Sequence, residues 1–321
     1  MLCNNHTASV GSMATLLTLV ESDVQEEFFA RSWTDGLPIV PPTPDLVASF
    51  LEQTPDSPDR IIGVLQPSGS AATVRNVAIN GIMANCRPEY MPILVAIAEV
   101  LCDPKYGVEH SGDTTGGEAL IILNGPIIET LNFNSAGAAL RDGYRANTSV
   151  GRFLRLYQRN VAGIRPEGAD KVTFGHTWRV VLAENEREVQ NLGWHPFSSD
   201  RGFQSGENVV TIGRFTSGGG IGSIFGNDPM EITRYLADGL VRHTSWELIF
   251  TVGFAAGTYR PLLVLSPLVA KSLMICGISK EILRKNLFEY ARIPASKFEH
   301  YIGLWTNLLP GRPTLRQLVD D

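Results

Sequence analysis

The run Ala119-Leu120-Ile121-Ile122-Leu123 has no polar face and is closed by the turn signal Asn124-Gly125-Pro126. An apolar strand of this kind needs cover on both sides, and helices are the usual cover. The rest of the chain alternates in the same sense. Strands are predicted over 61–65, 178–182, 208–215 and 262–265, from β-branched or alternating apolar residues. Helices are predicted over 15–31, 44–53, 73–84, 91–101, 148–159 and 228–243, and through most of the chain from 266 to about 308. Thr43 stands where it would cap the second of these helices. The expectation is an α/β fold: a layered, largely parallel sheet flanked by helices. Leu120–Pro126 echoes Leu262–Pro267, an arrangement that two similar halves would produce. By this reading 1–13 is a flexible leader and 14–216 a main α/β domain. Residues 217–321 form a C-terminal α/β portion packed on the first.

Composition narrows the function classes. The 321 residues are 44% hydrophobic and 19% charged, an ordinary globular balance with ample core. A net charge of −6 argues against nucleic acid, which needs a basic face. The first 30 residues hold no Lys or Arg, so the basic start of a secretory signal is missing. Leu16–Val20 is too short to span a bilayer, so no membrane role is expected and the cytoplasm is the expected compartment. The four cysteines show no close pairing, which argues against a disulfide framework or a structural zinc site.

Three constellations could carry chemistry. Cys86 lies between two predicted helices, just before Pro88-Glu89, with Arg87 beside it. A helix N-terminus and a neighbouring guanidinium both favour a thiolate, so Cys86 is a candidate nucleophile or redox centre. Its alternative is a buried structural thiol.

The segment 141–165 holds six arginines against Asp142 and no lysine. Within it Asn147 or Thr148 is placed to start a helix, and Arg145 and Arg152 flank that start. This is the pattern of a site for a carboxylate or phosphate, with Arg87 as a further contact. Arg155 and Arg159, four apart, read as a solvated helix face. Asn124, at a strand end, could polarise a carbonyl. Glu184, at another strand end, could move a proton. Together with His176 and His195, Glu184 could also hold a divalent metal, although the spacing matches no compact metal motif. No organic cofactor is predicted. The Gly218–Gly222 run lacks dinucleotide-binding spacing and reads as a lid.

Several of these stretches recur together. They are Trp33-Thr34-Asp35-Gly36-Leu37-Pro38 with Pro41-Pro42-Thr43, Ala78-Ile79-Asn80 with Met83-Ala84-Asn85-Cys86-Arg87-Pro88-Glu89-Tyr90, and Asn124-Gly125-Pro126. Further along stand Arg145-Ala146-Asn147-Thr148 with Gly151-Arg152, Ala183-Glu184-Asn185-Glu186, and Gly277-Ile278-Ser279-Lys280 with Ala291-Arg292-Ile293-Pro294. In this set, spanning about residues 31 to 295, the chain resembles the UGSC-motif selenoprotein family of bacterial α/β proteins. The resemblance implies an α/β fold and, through the motif that names the family, thiol redox chemistry. No Cys-Gly-Ser-Cys occurs in this chain, and Pro267-Leu268-Val269-Ala270 stands where relatives tend to carry Pro-Glu-His-Ala. A partner chain would have to supply the missing motif.

The expectation is an enzyme acting on a small anionic metabolite. Cys86, Glu184 and Asn124 would be catalytic, and Arg87, Arg145, Asn147, Thr148 and Arg152 would bind the substrate. The alternatives are a non-catalytic or substrate-binding subunit of a two-component enzyme, and a metal-dependent hydrolase or lyase using His176, Glu184 and His195. A homodimer would be ordinary for a chain of this size.

Overall fold

The computed structural model describes residues 21–114, 116–166, 168–175, 179–216, 218–222, 224, 228–243, 261–294 and 296. The chain divides into two compact units, Met1–Glu186 with His195–Thr216, and Arg187–Trp194 with Ser217–Asp321.

The first unit opens with α1 (Glu21–Ala30) and α2 (Pro44–Leu51). α2 starts as its sequence dictates: Pro44 needs no amide partner in the first turn, and Thr43 Oγ1 accepts a hydrogen bond from the Leu46 amide at 3.4 Å. The hairpin of β1 (Ile61–Leu65) and β2 (Ser70–Thr73) is antiparallel and leads directly into α3 (Val74–Met83). Thr73 caps α3 by accepting from the Asn76 amide at 3.1 Å. Every residue of α3 except Arg75 is buried, because α2, α4 (Met91–Cys102) and α6 (Arg145–Tyr157) all pack against it. A helix covered all round has to be apolar all round, and α3 and α4 nearly are.

β3 (Glu118–Asn124) is the middle strand of a three-stranded sheet, with all seven residues buried. β4 (Val181–Ala183) runs parallel to it and β5 (Val209–Phe215) antiparallel. Between β3 and β4 the chain makes the short α5 (Ile127–Thr130) and then α6, continued by a π turn over Gln158–Ala162. That crossover permits the parallel pairing of β3 with β4. The fold is therefore mixed α/β, with small sheets of two and three strands. Among the described residues it lacks the extended, largely parallel sheet expected from the sequence. β4 is only three residues long, and β5 returns from the 195–208 loop in the opposite sense.

The second unit holds most of α7 (Glu186–Asn191), α8 (Pro229–His243) and the helices Pro267–Ile275 and Lys280–Tyr290. Ser266 and Ser279 cap the last two, accepting from the amides of Val269 at 3.4 Å and Ile282 at 3.2 Å. Its small core gathers Ile232, Leu236, Leu273 and Leu283. Leu262–Leu265 forms no strand. Leu263 and Leu265 pack on that core and Val264 turns outward, so the apolar run is satisfied by packing and not by a ladder. The echo with β3 therefore does not make two similar halves among the described residues. The expected leader, 1–13, lies outside them. No helix among the described residues is long and apolar enough to cross a membrane.

Candidate functional site

Cys86 closes the C-terminus of α3 and stands one residue before Arg87, the N-cap of the short turn Pro88–Tyr90 that leads into α4. The Cys86 amide donates to the Gly81 carbonyl at 2.9 Å and the Asn85 amide to Ile82 at 2.8 Å. Asn85 is in the left-handed region, φ 63°. This pair of bonds closes the C-terminus of α3, where a hydrophobic contact from the residue after the left-handed one is usual. Cys86 supplies that contact and is 5% exposed. Burial pushes its thiol up to about 12, against the opposing pull of the nearby Ser149 hydroxyl and the charges of Arg145 and Arg152. Ser149 Oγ itself has no partner in hydrogen-bonding geometry. Burial therefore works against the thiolate expected at Cys86 and favours the buried structural thiol: loss of solvation outweighs the local positive charge.

The expected anion-binding residues are each engaged by the protein's own groups. Arg87 is paired with Glu89, at 3.1 Å and 3.3 Å, on the surface. Arg145 bonds the Asn85 carbonyl at 3.3 Å and its side-chain oxygen at 3.1 Å, placing a cation at the carbonyl end of α3. Asn147 and Thr148 do not begin α6, which starts at Arg145. Asn147 is buried and pins three segments. Its Oδ1 accepts from the Asn134 amide at 2.8 Å, and its Nδ2 donates to the carbonyls of Asn134 at 3.0 Å and Val181 at 2.8 Å. Thr148 Oγ1 accepts from the Gly143 amide at 3.2 Å. Arg152 grips Asp35 with two bonds, at 2.8 Å and 3.0 Å, and also donates to the carbonyls of Leu37 and Pro38. Burial works to raise the Asp35 pKa, but the bonds from Arg152 prevail and hold it below the ordinary value.

Asn124 and Glu184, sixty residues apart, do come together. Asn124 ends β3 and Glu184 follows β4, so the parallel pairing sets them side by side. Asn124 Nδ2 donates to Glu184 Oε2 at 2.5 Å and to Glu186 Oε1 at 2.8 Å. The carboxylates also accept from the backbone: Glu184 from Phe197 at 2.7 Å and Glu186 from Gly125 at 2.9 Å. Asn124 Oδ1 is buried without a partner. These contacts hold Glu184 and Asn124 as a polar clasp on the ends of two strands. His195 has partners of its own, and His176 lies outside the described residues. No group of three His, Cys, Asp or Glu side chains among the described residues is placed to hold a metal.

A concave site of the first unit lies elsewhere, on the outward face of α6. Its cavity of about 170 Å³ is lined by Asp35, Arg152, Arg155, Gln158, Arg159, Ile164, Pro166, Asp170 and Arg179. Arg152, Arg155 and Arg159 stand at i, i+3 and i+7, one face of a helix. Arg179 reaches in from just before β4. Arg155 Nη1 bonds the buried Glu118 at 2.9 Å. Arg159 Nε donates to the Ser32 carbonyl at 2.9 Å, and neither Arg159 nor Arg179 has a carboxylate partner among the described residues. Burial, then the charge of Arg165, lower the Arg159 pKa; burial does the same at Arg165. Of the residues expected to bind an anion, only Arg152 lines this cavity. Arg155, Arg159 and Arg179 were missed, although the 152–155–159 spacing was the signal for the first two.

Comparisons of the chain with family models, with curated proteins and with solved structures find no match. The resemblance to the UGSC-motif family rests on the motifs quoted above.

Proposed function

We propose that the first unit is a binding module for a small anion, held in the arginine-lined cavity on α6. The observation that carries this reading is the convergence of Arg159 and Arg179 on one concavity, neither of them in an ion pair among the described residues. Guanidinium groups stay protonated in proteins, so such a site lowers its electrostatic cost by taking up an anion rather than by losing a proton. The fork geometry suits carboxylate or phosphate oxygens, which it meets through paired, charge-assisted bonds.

Binding rather than thiol catalysis is the role the geometry favours. Cys86 is sealed in the core with a neutral thiol, and the carboxylates of Glu184 and Glu186 are engaged in the clasp on Asn124. The substrate-binding subunit of a two-component system fits this arrangement.

Isothermal titration of the whole protein at low ionic strength tests it, with acetate, succinate and inorganic phosphate as probes. Saturable binding of at least one of them is expected, weakened about tenfold in Arg159→Gln by loss of a charged contact. Absence of saturation by all three up to millimolar concentration would overturn the reading.

A further inference from the structure

The charge balance of the cavity narrows the class of ligand, a step that rests on the anion-binding role proposed above. Four arginines line the cavity, with Asp35 and Asp170 as the lining acids. Asp35 is committed to Arg152, and Glu118, behind the wall, to Arg155. Arg165 adds a fifth cation beside Arg159, its Nε donating to the Arg159 carbonyl at 3.3 Å. Against these five cations stand three carboxylates among the described residues, Asp35, Glu118 and Asp170, which leaves an excess of two positive charges there.

Size bounds the ligand from the other side. A volume of about 170 Å³ falls below the roughly 300–1,000 Å³ typical of drug-sized pockets. A nucleotide or dinucleotide is too large for it, and a compact molecule of a few heavy atoms is not. The lining also offers a neutral polar group. Gln158 is buried, its Nε2 donates to Ser111 Oγ at 3.3 Å, and its Oε1 has no partner among the described residues. Ser111 satisfies one end of that amide and leaves the other over.

We infer that the cavity is matched to a compact dianion, with its two negative charges on one phosphoryl group or on two carboxylates of a short diacid. A monoanion would leave one cation unanswered in a half-buried site. Arg159 and Arg179 are the contacts that answer the two charges, one each, because Arg152 and Arg155 already have carboxylate partners.

The test ranks acetate, succinate and inorganic phosphate by titration calorimetry at pH 8 and one fixed ionic strength. Succinate or phosphate is expected to bind at least tenfold more tightly than acetate. Phosphate above succinate assigns the phosphoryl form; the reverse order assigns the diacid. Arg179→Gln is expected to weaken the preferred dianion about tenfold and to leave acetate within about twofold. Arg179 is exposed and its side chain has no hydrogen-bond or ion-pair partner among the described residues, so this variant removes no contact seen there. Acetate binding as tightly as both dianions would overturn the dianion assignment and leave the anion site standing. A dianion preference unchanged in both Arg159→Gln and Arg179→Gln would overturn the assignment to these residues. Failure of all three anions to bind would remove the anion site itself.

Discussion

A thiol pushed up to about 12 is neutral throughout the physiological range, so Cys86 behaves as a small hydrophobe that closes α3. Its alkylation requires the helix end to open. Cys276 is exposed, whereas Cys102 is half-buried with its thiol pushed up by burial to about 11. Of the three cysteines among the described residues, iodoacetamide at pH 8, followed by peptide mapping, should label Cys276 first and Cys102 next. Cys86 should come last, about a thousandfold slower than Cys276. The linkage has a definite sign. A folded-state value raised above the free-thiol value contributes stability below about pH 8.5, and that contribution is lost as pH rises towards 12. Stability should therefore fall across that alkaline window, and less so in Cys86→Ala. The neighbours of Cys86 in the chain could not reveal this outcome. Arg87 and Pro88-Glu89 are local and visible in the sequence, whereas burial depends on contacts made from α6, some sixty residues away. The same holds for Arg152, whose partner Asp35 is 117 residues distant.

Elements with local start signals were the legible ones. Thr43 caps the helix it was placed to begin, and α4 is the buried apolar helix its composition predicts. Asn147 misleads because an amide suited to capping is equally suited to bridging, and here it bridges to Asn134 and Val181. Leu262–Leu265 misleads because a strand needs a neighbour, which no four-residue pattern contains. The packing of α6 on β4 was likewise invisible in the sequence, and it depends on one residue. A Cβ on Gly151 would lie 2.3 Å from the Arg179 carbonyl oxygen and 2.7 Å from Val180 Cα, both backbone. Gly151→Ala must therefore push helix and strand apart. A loss of about 3 kcal/mol is expected in urea unfolding monitored by circular dichroism. Because the arginine cavity spans the same two elements, anion affinity should fall along with stability.

At the scale of the whole molecule, ligand linkage offers a readout independent of calorimetry. A ligand held only by the folded first unit, at a hundred times its Kd, adds about 2.7 kcal/mol. For a unit of this size that is a rise of about 5 °C or more in the melting transition. Succinate or phosphate should produce this shift in the wild-type protein, and Arg179→Gln, at the same ligand concentration and with affinity about tenfold lower, should cut it to about half. The mixed α/β character was readable from alternation, because burial of apolar segments leaves its mark residue by residue. Sheet direction was not, since it depends on how distant segments return. β3 shows what holds that return in place. It begins at Glu118, joined to Arg155, and ends at Asn124, clasped by Glu184 and Glu186, with five interchangeable apolar residues between. The strand works like a ruled line with a stop at each end. Letters may be exchanged along its length, but sliding the line by two places removes both stops at once. A mutational scan of 118–124 should therefore find tolerance for aliphatic exchange in the middle and intolerance at the two polar ends.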